Sequence, residues 1–295
     1  MKNLYNELFK RNIGILTNTE QNILKDSTVG IAGLGGLGGQ TFINLVRMGI
    51  EKFNLADIDS FDLSNTNRQI GASQKTMGKE KVNVMSAMAI DINPAVEITH
   101  FHSGIQKENV DAFVGKSDII VDSLDFFCLT ARELLYSSCY EAKKTVILSA
   151  PLGFSATLHV FSNTSMPAKD FFSWNEQMDK FEKMVHFAVG IAPKGLHLTY
   201  LNFDKDNLVN TGTGPSISFS CGLGAAMLAS EILMALLNRR NLFEAPCYTQ
   251  FDLFHGNLAK GKLHWGNKGP IQKIKIYLAK KQYQEVRDKL NNIIK

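Results

Sequence analysis

Cysteine is sparse in this chain, with four copies among 295 residues. Cys128, Cys139, Cys221 and Cys247 form no C-x-x-C pair, which excludes a disulfide-stapled miniprotein and argues against structural zinc. They are expected as buried small hydrophobes in a reducing, cytoplasmic-type compartment. Long apolar runs are also missing. Val146–Pro151 and Ala225–Leu237 are too short for a bilayer or carry a charge such as Glu231, so no membrane span is expected. The first residues, from Met1 to Glu7, lack the apolar stretch of a secretion signal. Excess charge is small: 32 Lys and Arg against 28 Asp and Glu leave +4. That supports an anionic partner weakly and a nucleic-acid-coating protein not at all. There is no internal repeat and no low-complexity linker. What the chain does hold is 44% hydrophobic residues, which excludes disorder and suffices for a sizeable core.

The apolar pattern alternates short β-rich runs with helical spacing. Strands are expected at Thr28–Ala32, Phe53–Ala56, Glu97–Phe101, Ile119–Asp122 and Thr145–Ala150. Helices are expected at Gln40–Met48, Lys79–Asp91 and Thr130–Ala142. This order implies a parallel sheet covered on both faces. Before it, residues 4–26 read as a helical preface in which Leu4, Leu8, Ile15 and Leu16 share apolar faces. After it the pattern changes. Ser155–Phe161 alternates like a half-exposed antiparallel strand, and Tyr248–Leu253 and Gly261–Trp265 are expected to pair as late strands. Between them, residues 163–214 read as a long polar loop region, a length that is often functional. Ser216–Asn238 reads as a long apolar helix, and residues 280–295 as a charged helical tail. The expected architecture is α/β: a Rossmann-like, largely parallel sheet continuing into antiparallel strands, helices on both faces, in a single large domain. Its divisions are an arm over 1–27, the main domain over 28–278, and a tail over 279–295.

Gly33-Leu34-Gly35-Gly36-Leu37-Gly38 fits G-x-G-x-x-G and lies between an expected strand and an expected helix. Glycines let backbone N–H groups at a helix N-terminus approach an anion. Asp57, about 20 residues on and ending the next strand, is placed to accept hydrogen bonds from ribose hydroxyls. Alone, this pattern makes NAD the default ligand.

A second cluster shifts that reading. Asp59 follows Asp57, and then come Asn65, Arg68, Gln69, Lys81 and Asp125. In a parallel sheet, Asp57 and Asp125 leave strands at the edge that carries the glycine loop. Two acids and two cations, Arg68 and Lys81, would then converge there. Hydride transfer needs no such clamp. Nucleotidyl transfer does, because cations offset triphosphate charge and an acid can hold Mg²⁺.

At this point Val29–Ala150 resembles the ThiF/MoeB/HesA superfamily, the adenylating fold of ubiquitin-activating enzymes. The matching residues are Gly33, Gly35, Gly36 and Gly38, Asp57-x-Asp59, Ser64-Asn65-x-x-Arg68-Gln69, Gly78-x-x-Lys81 and Asp122-x-x-Asp125. The resemblance implies Asp57 as ribose binder, Asn65, Arg68 and Lys81 as triphosphate and transition-state contacts, and Asp125 as the Mg²⁺-linked carboxylate. Arg11 falls where the family places an arginine that reaches the ATP of the other subunit in homodimers. The implied activity is ATP-dependent adenylation of a carboxylate, the C-terminus of a ubiquitin-like or sulfur-carrier protein or of a peptide.

The chain departs from that pattern in three ways. It lacks the zinc cysteine pairs. It has no cysteine within 163–214, where sulfur- and ubiquitin-transferring members place a catalytic one. Phe126 stands where Asn often follows the acid of Asp125. Cys128 and Cys139 are expected to be structural. Trp174, His186, Lys194 and His197 are candidate substrate contacts in the loop region. Three other readings are kept. One is a tRNA threonylcarbamoyl-adenosine dehydratase-like enzyme, which would bind tRNA. Another is an inactive nucleotide-binding scaffold. The last is an NAD oxidoreductase.

Overall fold

The computed structural model describes residues 2–201, 208 and 212–294. Its centre is one eight-stranded sheet of order β3-β2-β1-β4-β5-β6-β7-β8. Strands β1 (Thr28–Ala32), β2 (Lys52–Ala56), β3 (Glu97–Phe101), β4 (Ile119–Asp122) and β5 (Thr145–Leu152) run parallel. Their order reverses between β1 and β4, the switch point at which open α/β sheets bind ligands. β6 (Ser155–Phe161), β7 (Cys247–Asp252) and β8 (Asn257–Lys262) follow antiparallel. The expected mixed sheet is therefore present. Its last strand lies earlier than expected, ending at Lys262, with His264 and Trp265 in the turn beyond.

Ahead of the sheet, α1 (Lys2–Phe9) and α2 (Asn18–Asp26) form the preface. Its buried contacts are Tyr5, Phe9 and Leu16, whereas Leu4, Leu8 and Ile15 are exposed. The apolar face is thus turned from the one the spacing suggested, because the two aromatics have more surface to hide. Thr17 caps α2 in a reciprocal capping box with Glu20.

The helices α3 (Gly36–Arg47), α4 (Lys81–Ile92), α5 (Val110–Gly115) and α6 (Leu129–Glu141) connect the parallel strands. Two apolar clusters flank the sheet. Phe42, Leu45, Phe53, Met85, Leu228 and Ile232 belong to one. Phe113, Leu135, Phe171, Phe172, Phe187 and Leu290 belong to the other.

Residues 163–201 are not the polar loop the composition suggested. They carry α7 (Ala168–Phe172) and α8 (Lys180–Ile191), and Phe171, Phe172, Trp174 and Phe187 are buried. Trp174 Nε1 donates to Lys183 O, and His186 Nδ1 meets Phe172 O. Both are packing residues. Lys194 is exposed, and part of the expected loop, 202–207 and 209–211, lies outside the described residues. The aromatics were the overlooked signal: set in polar chain, Phe171, Phe172 and Trp174 meet Phe187 in space as one cluster.

Helix α9 (Ser218–Leu236) is long and apolar enough to cross a membrane by length and composition. In the fold it packs on α3 and β5, and its Glu231 is buried and paired with Arg240. The chain ends in α10 (Pro270–Tyr283) and α11 (Arg287–Ile293). The tail helix therefore begins well before residue 280. Arg287 pairs with Asp179, the N-cap of α8, so the tail is tied to the core.

Burial pushes His159 and His197 down to about 4. Unfolded, each titrates near ~6.5. Between these values the unfolded chain binds more protons than the fold. Their contribution is therefore complete above about pH 6.5 and is lost as pH falls toward 4. Urea unfolding at a series of pH values is expected to show that decline, and His159→Gln is expected to flatten it.

Candidate functional site

The loop leaving β1 turns at Gly33, whose φ of +94° disfavours any side chain. A Cβ there would strike Ser123 O, and one on Gly38 would strike Gly33 O and Ser123 Oγ. Ser123, just past β4, locks this crossing by donating to Ala32 O (2.9 Å) and Gly33 O (2.7 Å). Helix α3 begins at Gly36, not at Gln40, so three of the motif's glycines lie at or inside its first turn. Its N-cap, Gly35, provides no side-chain cap. The first-turn N–H groups are thus left for an anion. Gly38→Ala is expected to cost about 1–3 kcal/mol, since the new methyl meets the Gly33 carbonyl and the Ser123 hydroxyl that locks the crossing. Denaturant titration checks this.

Asp57, at the end of β2, is tied directly to the loop. Its Oδ2 accepts from Leu34 N (2.6 Å) and its Oδ1 from Asp59 N (2.8 Å). Burial raises its pKa, while Lys81 and the two backbone N–H groups pull it back. Lys81 opens α4 with its side chain nearly buried and its Nζ 2.9 Å from Asp59 Oδ2. Asn65 is buried, and its Oδ1 accepts from Asp62 N. Arg68 Nη1 donates to Ser64 O and Asn67 Oδ1, both at 2.9 Å. Its Cγ and carbonyl lie against Gly36. Gln69 is buried beside Gly35, and its Oε1 has no partner. Asp125 is exposed on the loop after β4, and its Oδ1 accepts from Phe127 N (2.9 Å). The structure therefore gathers the glycine loop, Asp57, Asp59, Asn65, Arg68, Gln69, Lys81 and Asp125 at one sheet edge.

Arg11 is not gathered there. Its neighbour Asn12 donates to Met48 O, and Tyr5 OH donates to Gly49 O, at the far end of α3. That helix of 12 residues is roughly 18 Å long. Arg11 is exposed and does not serve the loop of its own chain.

Two residues of the site escaped sequence reading. Arg132 on α6 is buried and pairs with buried Asp122 (2.7 Å), which also accepts from Tyr136 OH (2.6 Å). Its Nη2 donates to Leu124 O (2.8 Å) and Asp125 O (3.2 Å), pinning the loop that bears Asp125. The one available signal was a charged residue on an otherwise apolar helix face. Cys221, in the first turn of α9, packs its sulfur against Gly36, and burial raises its thiol pKa. Cys139 is buried as expected, and Phe126 packs edge-on to Phe127. Among the described residues, no group of three or more His, Cys, Asp or Glu is placed to hold a metal.

These features define an α/β protein with an anion-ready glycine loop at a topological switch point. The chain belongs to the ThiF family, whose model matches residues 9–268. It is 32% identical over 142 residues to the molybdopterin-synthase adenylyltransferase of Escherichia coli (strain K12), covering 48% of this chain and 56% of that protein. It is 34% identical over 121 residues to the tRNA threonylcarbamoyladenosine dehydratase of Bacillus subtilis (strain 168), covering 41% and 48%. The chain spans about half the length of the curated relatives it matches. In fold it is similar to Escherichia coli MccB solved with ATP. The TM-score is 0.65 at 17% identity, over 90% of this chain and 73% of that one.

Proposed function

We propose that this protein is an ATP-dependent adenylyltransferase that activates a carboxylate. The observation carrying this reading is that Arg68 packs on the glycine loop, which is bonded to Asp57, while Lys81 and Asp125 lie at the same sheet edge. A hydride-transfer site has no use for the two cations.

The residues present fit a nucleoside triphosphate. Each Asp57 oxygen keeps a lone pair for a ribose hydroxyl, and the uncapped start of α3 offers N–H groups to phosphate. Mg²⁺ is commonly held by one or two carboxylates together with substrate phosphates. Asp125 supplies such a carboxylate, and the ion would neutralise charge on the leaving pyrophosphate. The substrate carboxylate oxygen attacks the α-phosphorus, and the bond from that phosphorus to the β-phosphate oxygen breaks. The products are an acyl-adenylate and pyrophosphate. Arg68 and Lys81 stabilise charge that grows on the phosphoryl oxygens. Arg132 holds the Asp125 loop in place throughout.

The substrate in this reading is the C-terminus of a small carrier protein or peptide, and the site works in a cytoplasmic homodimer. Arg11, exposed and remote from its own loop, is then free to reach the partner's nucleotide. With no cysteine in 163–214, the acyl group passes directly from the adenylate to its acceptor. The test is isotope exchange between ATP and pyrophosphate, run with peptides and carrier proteins that end in a free carboxylate. Exchange that depends on the added acid supports the reading. ATP binding without exchange for any acid in the panel overturns it.

A further inference from the structure

The small net charge of the chain is unevenly placed. From Leu253 to Gln284 there is no Asp or Glu. Seven of the chain's 32 basic residues, all Lys, lie in that stretch, and the other 25 face 28 acids elsewhere. The basic excess is therefore confined to one segment. It holds β8, the turn with His264 and Trp265, and α10. Helix α10 lies beyond residue 268, where the ThiF match ends.

One face of α10 anchors it. Gln272 and Ile276 are buried, and Gln272 Nε2 donates to Asn267 Oδ1 (3.2 Å). Lys280 pairs with Glu182 on α8 (2.6 Å), and Lys275 Nζ donates to Pro193 O. These contacts fix which face turns outward. That face is apolar as well. Ile271, Ile274 and Leu278, three and four residues apart, form a stripe about 10 Å long. They are 68%, 60% and 56% exposed, and Tyr277 beside them is 65% exposed. Trp265, 67% exposed, stands next to Gly269 at the start of the helix. A helix that is apolar on both sides is normally covered on both, and large apolar side chains gathered on a surface mark a binding face.

The charges around the stripe say what covers it. Lys273 and Lys281 are exposed on the outward side. Among the described residues neither closes an ion pair, whereas Lys268 and Lys280 are matched by Asp170 and Glu182. A second copy of this face would set lysines against lysines, because α10 carries no acid to meet them. A protein partner is also disfavoured, since Lys is depleted at protein interfaces. An apolar stripe with exposed Trp and Tyr and with lysines at its margin matches an anionic bilayer surface. The apolar groups enter the acyl boundary and the rings lie at headgroup depth, while the lysines reach lipid phosphates. With 14 residues, α10 is too short to cross the bilayer.

We infer that the outward face of α10, together with Trp265, docks the protein on an anionic lipid surface, with the helix lying in the plane of the interface. This attachment goes beyond the adenylation chemistry and does not depend on it.

The experiment is co-sedimentation of the full chain with vesicles of phosphatidylcholine alone and of phosphatidylcholine mixed equally with phosphatidylglycerol. Binding to the mixed vesicles is expected to be at least about tenfold tighter, and to weaken as salt is added. Ile274→Ser with Leu278→Ser, and separately Lys273→Glu with Lys281→Glu, are each expected to weaken it at least about tenfold. All four side chains are exposed, so the melting temperature should hold. Trp265 adds a signal that charge alone does not move. The chain has two tryptophans, and Trp174 is buried. Mixed vesicles are expected to shift the emission to shorter wavelength, and Trp265→Phe to remove that shift. No binding to the mixed vesicles overturns the inference. So does binding that survives the Ile274 and Leu278 variant or leaves the emission unmoved, because the attraction is then charge alone. A dimer that this variant splits, with no vesicle binding, overturns it in favour of a second copy. Equally tight binding to poly-glutamate overturns it in favour of an acidic protein.

Discussion

Arg68→Ala is expected to lower acid-dependent pyrophosphate exchange by about 10²–10³-fold, the size of effect seen when one donor to developing charge is lost. Among the described residues the guanidinium bonds only to Ser64 O and Asn67 Oδ1, both on its own turn. It is half-buried and, among the described residues, closes no buried ion pair, so stability should change by no more than about 0.5 kcal/mol. A folded variant that retains full exchange would remove Arg68 from the transition state. Arg68→Lys separates charge from shape: a point charge recovers only part of what a planar donor fork provides.

The largest stability effect is expected at Arg132. Arg132→Met leaves the carboxylate of Asp122 fully buried, held among the described residues only by Tyr136 OH and Leu124 N. Breaking one side of a buried pair costs about 3–5 kcal/mol, whereas an apolar replacement of both partners is far milder. Arg132→Met combined with Asp122→Leu should therefore be more stable than Arg132→Met alone. Urea unfolding of the cycle measures the difference. If the single variant is as stable as the unsubstituted protein, the pair is not what holds this loop. ATP affinity should fall in the same variant, since Leu124 O and Asp125 O lose their shared donor.

The parallel half of the sheet was legible because its signals are local. Ile119–Val121 is apolar on both faces, and β4 is buried at every residue. The glycine loop announced itself by spacing, and Asp57 by its distance from it. What escaped depends on contacts distant in sequence. Phe171, Phe172 and Phe187 looked like stray aromatics in polar chain, yet they close one core against β6 and α6. Arg132 reads as a surface charge until Asp122 is seen beneath it. The edge strand β8 has an exposed, weakly alternating pattern, so its register could not be set from composition. The start of α3 was misjudged because glycine has poor helix propensity. Here close packing against Ser123, Cys221 and the Arg68 turn outweighs it.

The central claim is that the site binds ATP and uses it on an acid, and the nucleotide comes first. Calorimetric titration of the full chain with ATP·Mg²⁺, and separately with NAD, tests it most directly. The account predicts saturable ATP binding, weakened in Asp57→Ala, and no heat from NAD. Saturable NAD binding with none for ATP would contradict it, and Arg68, Lys81 and Asp125 would then need another explanation.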